Sequence, residues 1–242
     1  MAASFGWGVF AGSSLILGGL IALRFHIERL TLGLVMAFGA GVLISAVAFD
    51  LIEEAYTTSN GSGGVAIGLF AGCGVFFAGD LLVDRLGGAD RKKVDGASSG
   101  SPLPIVLGIV LDGVPESMVI GLTILEGGAV SAAYLTAVFL ANLPEALAAT
   151  TGMIAGGWRT RRIFGLWGAV TLISGLASAA GYVLLEDASP QTIAFVLAFA
   201  GGAIVTMLAD TMMPEAYEHG GRLAGVATTL GFAAAFAIHT LE

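Results

Sequence analysis

Charge is scarce in this chain, and positive charge scarcest: only 12% of the 242 residues are charged, with 18 Asp and Glu against 10 Lys and Arg. An ordinary soluble domain carries roughly 25% charged residues, so a water-facing globule is excluded. Hydrophobic residues make up 56% of the sequence and the mean hydropathy is +0.91, which points to a polytopic membrane protein. A single cysteine, Cys73, excludes an intrachain disulfide and leaves the redox compartment open. Histidine is nearly absent, with three in all and none in a His-Glu-x-x-His pattern, so an intramembrane metalloenzyme is disfavoured and no catalytic constellation or resident cofactor is expected. The few basic residues form no surface for nucleic acid. The formal charge of −8 says little about partners, because many acids lie within or at the ends of apolar runs.

Apolar runs of about 20 residues cross a bilayer. The sequence predicts eight of them, at about 5 to 23, 32 to 52, 63 to 84, 103 to 125, 129 to 152, 163 to 185, 190 to 213 and 223 to 240. Together they make one all-α membrane domain over residues 1 to 242. No basic residue precedes the first run, so it is expected to be a retained span rather than a cleaved signal. All ten Lys and Arg fall in alternate connections, at 24 to 29, 85 to 93, 159 to 162 and 222. By the positive-inside rule those connections face the cytoplasm and both termini lie outside. The connection Leu86 to Pro102, rich in Gly, Ser and Asp around Arg91-Lys92-Lys93, is predicted to be a flexible cytoplasmic loop.

Two Pro-Glu pairs, Pro115-Glu116 and Pro144-Glu145, stand 29 positions apart inside runs four and five. A charged group near the bilayer centre costs about 2.5 to 3.5 kcal/mol by insertion scales. Asp112 lies one helical turn before Glu116, and Asn142 three residues before Glu145, so each pair shares a helix face. Pro115 leaves the carbonyl of Leu111 without its helical donor and Pro144 does the same to Leu140, adding oxygen ligands. Three ionised carboxylates brought together need a cation, protons or water. With no Lys or Arg inside the spans, a divalent cation answers best, and oxygen ligands suit Mg, Mn or Ca, with Fe(II) and Zn also feasible. The metal site is therefore expected at Asp112, Glu116, Asn142 and Glu145. Asp50 and Glu54, toward the outer end of run two, are expected to gather cations at an entrance. Asp210, Glu215 and His219, at the inner end of run seven, are expected to form an exit. His26 and His239 are expected at the surface.

An internal repeat accompanies these motifs. Residues 36 to 56 align without gaps on 197 to 217 at an offset of 161, pairing Phe38 with Phe199, Gly41 with Gly202, and Glu54-Ala55-Tyr56 with Glu215-Ala216-Tyr217. An odd number of crossings separates the copies, so the repeat is inverted and the architecture is three spans, a central pair, and three inverted spans.

The segments Asp112-Gly113-Val114-Pro115-Glu116-Ser117 and Ala141-Asn142-Leu143-Pro144-Glu145-Ala146 resemble the His-Asn-x-Pro-Glu-Gly type motifs of ZIP family (Zrt/Irt-like) divalent metal transporters. The resemblance extends to Ala40-Gly41-Val42-Leu43 and Met213-Pro214-Glu215-Ala216 and covers essentially all eight runs. It implies an alternating-access carrier in the cell (inner) membrane, compatible with a homodimer, moving Zn, Fe, Mn or a similar ion toward the cytoplasm. The departures are specific. Asp112 stands for the family's histidine, Gly113 for its asparagine, Ser178 for a glutamate in span six, and Leu43 for a Met or His in span two. Glu116 and Glu145 carry over firmly, whereas a second bridged metal and a zinc preference do not. Two other classes stay open: a non-transporting metal sensor or scaffold, and a proton-coupled carrier of an organic solute.

Overall fold

The computed structural model describes residues 1–61, 63–85 and 103–241, so the loop expected at 86 to 102 lies outside the described residues. Among the described residues eight helices follow one another and no strand occurs. They are α1 (Ala2–Arg24), α2 (Arg29–Thr58), α3 (Gly64–Val83), α4 (Leu103–Gly127), α5 (Ala132–Ala155), α6 (Thr160–Leu185), α7 (Pro190–Gly220) and α8 (Leu223–His239). Helix is the expected answer for apolar runs of this length, because hydrocarbon offers the backbone no outside partner and every N–H and C=O must be satisfied within the segment. Starts are marked by Ser131 Oγ, which accepts from Tyr134 N at 3.1 Å, and by Ser189 Oγ, which accepts from Thr192 N at 3.2 Å ahead of Pro190 in the first turn.

Seven of these helices are long and apolar enough to cross a membrane, which makes the chain a multi-pass membrane protein. The remaining apolar helix, α8, has 17 residues. At 1.5 Å per residue it is about 25 Å long, against a hydrocarbon thickness of about 30 Å. Helices α2 and α7 run past the ends expected from the sequence, at 30 and 31 residues. Their terminal acids and Pro214 do not stop them. Each helix instead widens into a short π-helical stretch, Val47–Glu53 in α2 and Leu208–Met212 in α7, and then continues. In α7 the widening precedes Pro214, which has no N–H to offer the carbonyl of Asp210. In α2 the corresponding position is Glu53, so proline alone does not produce it. Both stretches begin at positions 161 apart, the offset of the sequence repeat.

Burial separates central helices from peripheral ones. Two thirds of the apolar window is buried in α2 and in α5 (67% each) but only 17% in α3, so α3 lies at the edge of the bundle. The main packing pairs are α3 with α7, α8 with α2, α1 with α6 and α5, and α4 with α6. Glycine makes two of these contacts possible. A Cβ on Gly41 would collide with the carbonyl of Thr228 in α8, and one on Gly202 with the carbonyl of Leu69 in α3. Reciprocally, Gly231 of α8 lies against the carbonyl of Phe38, and Gly72 of α3 against that of Phe199. Small residues at such crossings let backbones approach where no hydrophobic force drives helices together. Polar links bind α6 to its neighbours: Thr171 Oγ1 donates to Gly12 O at 2.9 Å, Ser178 Oγ to Ser4 O at 2.8 Å, and Trp167 Nε1 to Thr150 Oγ1 at 2.9 Å.

Substitution at these glycines should divide by location. Gly41→Ala and Gly202→Ala force backbone shifts and are expected to cost about 1–3 kcal/mol each. Gly225→Ala on α8 meets nothing within 4 Å and should be neutral or slightly stabilising. Thermal unfolding of the detergent-purified protein reads the sign; equal midpoints for all three would refute the close-contact assignment.

Candidate functional site

Helices α4 and α5 carry their prolines inside continuous helix and place the Pro-Glu segments within the bundle. Asp112 and Glu116 are buried, at 4% and 2% exposure, with Ser117 beside them, and Asn142 is buried on α5. Glu145 is half-buried. The half-buried carboxylate is the informative one, because it opens into a space. A cavity of about 20 Å³ is lined by Glu145, Ala148 and Ala149 of α5, Thr211, Met212 and Glu215 of α7, Met36 of α2, Leu15 of α1, Ile109 of α4 and Trp167 of α6. That is room for about one water-sized occupant. Six helices converge on it.

Glu215 therefore faces the same space as Glu145. It is buried at 7%, and His219 Nε2 stands 4.0 Å from its Oε1, one turn further along α7. The expected exit residues thus divide. Glu215 and His219 turn inward, whereas Asp210 is exposed on α7, within electrostatic reach of Asp80 on α3. The π-helical stretch ends just before Pro214, and the residues around it, Thr211, Met212 and Glu215, are those presented to the cavity. A widened turn changes which side chains share a face, and such turns recur at functional sites.

The other half of the bundle holds a different group. Tyr134 of α5 is fully buried, and its hydroxyl meets no hydrogen-bond partner among the described residues. It lies within the field of Glu116 from α4 and Asp50 from α2. Asp50 sits in the π-helical stretch of α2 and is bonded at 3.1 Å to Nδ1 of His239, whose ring stacks on Phe49 at 5.4 Å. His239 is thus tied to α2 and only a third exposed, a more interior place than the sequence suggested. Glu54 is exposed and accepts from Thr58 Oγ1 at 3.1 Å.

Among the described residues no three His, Cys, Asp or Glu side chains stand close enough together to hold a metal ion. Glu145 borders the cavity together with Glu215, and Glu116 and Asp50 both bear on Tyr134. Sequence reasoning missed Tyr134, Met36, Thr211 and Met212. Thr211 alone carried a signal, since it is the repeat partner of Asp50. Leu43, where the resemblance would place a Met or His, is fully buried in the apolar core. Ser178, where the resemblance would place a glutamate, donates its hydroxyl to the backbone of α1.

The sequence is similar to that of a candidate zinc transporter. That protein, from Arabidopsis thaliana, is 25% identical to the chain over 189 residues, which is 77% of this chain, and the chain spans about 30% of its length. No protein-family model matches.

Two substitutions test the cavity. Glu145→Gln and Glu215→Gln are each expected to weaken binding of Zn, Mn or Fe(II) to the detergent-purified protein at least tenfold by calorimetry, while Asp210→Asn, exposed on α7, should change it less than about twofold. An Asp210→Asn loss as large as the other two would show that the cavity is not where the ion sits.

Proposed function

We propose that the chain is a ZIP-type carrier that moves a divalent metal ion through its bundle toward the cytoplasm, across a cell (inner) membrane. The observation that carries this reading is the cavity shared by Glu145 and Glu215, two carboxylates from different helices facing one small space inside an apolar bundle. A pair of acids in that setting costs free energy unless a cation or protons occupy the space. The similarity to a candidate zinc transporter agrees with a metal as cargo.

An inverted repeat of three, two and three helices accounts for the packing. Under that symmetry α1, α2 and α3 correspond to α6, α7 and α8, and α4 to α5. The observed pairs then fall into equivalent sets: α3 on α7 with α8 on α2, and α1 on α5 with α6 on α4. The reciprocal glycine contacts of Gly41 and Gly202, and of Gly231 and Gly72, obey the same correspondence. So do the two π-helical stretches. In this arrangement Glu116 with Asp50, and Glu145 with Thr211 and Glu215, are symmetry-related stations on opposite halves of one route.

The ion would enter past Asp50, meet Glu116 and the Tyr134 hydroxyl, pass Asp112 and Asn142, and leave by Glu145, Glu215 and His219. Closing the four-ligand site Asp112, Glu116, Asn142 and Glu145 requires the two halves to rock together, as alternating access supplies. Oxygen ligands make up this route apart from the His219 imidazole at its end, and they favour no single ion among Zn, Fe and Mn as strongly as a set of thiolates or imidazoles would.

Uptake into proteoliposomes over a panel of divalent ions tests the reading. Saturable uptake is expected in the wild type, falling at least a hundredfold in Glu116→Ala and in Glu145→Ala. Metal binding without uptake would favour a sensor, and proton flux driven by an organic solute would favour a carrier of another kind; either result would overturn the proposal.

A further inference from the structure

A separate feature lies at the turn joining α5 to α6, three helical turns beyond Glu145 along α5. Helix α5 ends in a tight C-terminal cap: Gly157 adopts φ +75°, its N–H donates to Ile154 O at 3.0 Å, and the N–H of Trp158 reaches back to Met153 O at 2.9 Å. Gly156 N–H likewise donates to Gly152 O at 2.9 Å. This six-to-one and five-to-two bonding fixes the residue after the left-handed glycine in place, and Trp158, partly buried, packs against the apolar cluster that includes Met153, Ile163 and Trp167. The guanidinium of Arg162, one turn into α6, lies 4.0 Å from the centre of that ring. Gly156, Gly157, Trp158, Arg159 and Arg162 line an open recess of about 450 Å³.

Three properties give this recess a chemistry. Its arginines are uncompensated: among the described residues Arg159, Arg161 and Arg162 make no ion pair with a carboxylate, and no acid occurs between Gly156 and Ile163. Elsewhere on the basic side Glu28 lies between Arg24 and Arg29, Asp84 precedes Arg85, and Glu218 lies four residues before Arg222. Orienting the spans needs only positive charge in the connection; it does not need that charge stripped of acids and stacked on a fixed ring. Secondly, the face-on stack holds Arg162 in position and leaves its N–H edge open, so less conformational freedom is lost on binding. Thirdly, the N–H groups of Gly156, Gly157 and Trp158 are already used in capping α5, so on that side of the recess an anion is left to the guanidinium groups. Planar guanidinium edges match the oxygens of a phosphate.

We infer that the α5–α6 turn is a binding site for the phosphate of an anionic phospholipid headgroup. The two helices it joins both cross the membrane, so the turn emerges at the depth where headgroup phosphates lie, and a tryptophan at that level is in its preferred interfacial setting. A free phosphate offers the same oxygens without the acyl chains that would keep it at that depth. This site is independent of the transport proposal and stands or falls without it.

The test is native mass spectrometry of the full chain in detergent, titrated with phosphatidylglycerol or phosphatidylcholine. Phosphatidylglycerol adducts should exceed phosphatidylcholine adducts at least tenfold. Loss of each guanidinium should reduce the phosphatidylglycerol adduct roughly fivefold, so Arg159→Gln with Arg162→Gln should lower it more than tenfold. Trp158→Leu, which keeps every charge, should also lower it, and Trp158→Phe, which keeps an aromatic platform, should restore it. Arg222→Gln, a basic residue of another connection, should leave it unchanged, with thermal unfolding confirming that each variant is folded. An equal loss in Arg222→Gln would mean diffuse attraction and overturn the inference. So would displacement of the lipid by millimolar inorganic phosphate, which would assign the recess to a free anion.

Discussion

Carboxylates placed inside an apolar bundle, with every Lys and Arg kept to the ends of the apolar runs or between them, are the constraint on which the remainder of this molecule turns. All ten Lys and Arg fall at the ends of the apolar runs or between them, and the imidazole of His219 stands 4.0 Å from Glu215 on α7. In a medium of low dielectric such carboxylates are tolerated only when a cation, protons or water share the space. That requirement falls at two places: Glu145 and Glu215 border one small cavity, and Glu116 and Asp50 both bear on the buried Tyr134. Charge that would be a defect in a structural helix is here collected where helices from both halves of the chain converge.

The packing supplies the rigid frame around those groups. Lipid tails are as apolar as leucine, so helices in a bilayer associate through close contact and hydrogen bonds rather than through burial from water. Gly41, Gly202, Gly72 and Gly231 provide that contact at the α2–α8 and α3–α7 crossings. Their reciprocal pattern ties the long helices α2 and α7, which carry the widened stretches, each to a short or peripheral partner. Helices α2 and α7 therefore present Asp50 on one side, and Thr211, Met212 and Glu215 on the other, from backbones braced along their length. The turn between α5 and α6 obeys a different rule: it lies at the membrane surface, where charge is cheap, and its order comes from a glycine cap and an aromatic ring rather than from burial.

Much of this was legible in the residues. Apolar runs gave the helices because hydrocarbon leaves the backbone no alternative, and the Pro-Glu pairs marked α4 and α5 because carboxylates are costly at that depth. Boundaries were less legible at α2 and α7, where acids and Pro214 suggested an end and a π-helical stretch let the helix continue. The partners of each carboxylate were not legible at all. Asp112, Glu116, Asn142 and Glu145 share helix faces within α4 and α5, but a face within one helix does not say which other helix it meets. Glu215 could be read as an exit group near Pro214, yet nothing in its neighbours announced that it shares a cavity with Glu145. Tyr134 and Met36 are ordinary residues of apolar spans until the bundle closes around them.

What the sequence determined by itself is the kind of molecule: a multi-pass helical membrane protein with costly acids in its spans and basic residues confined to alternate connections. Those properties follow from composition, run length and position, which act residue by residue along one dimension. Tertiary structure alone decided that Glu145 faces Glu215, that His239 binds Asp50, that Ser178 serves the packing of α6 on α1, and that Arg162 stacks on Trp158. Each is a meeting of side chains from different turns or different helices, and it depends on helix rotation and crossing, which the close glycine contacts and widened turns fix only once all the helices are in place.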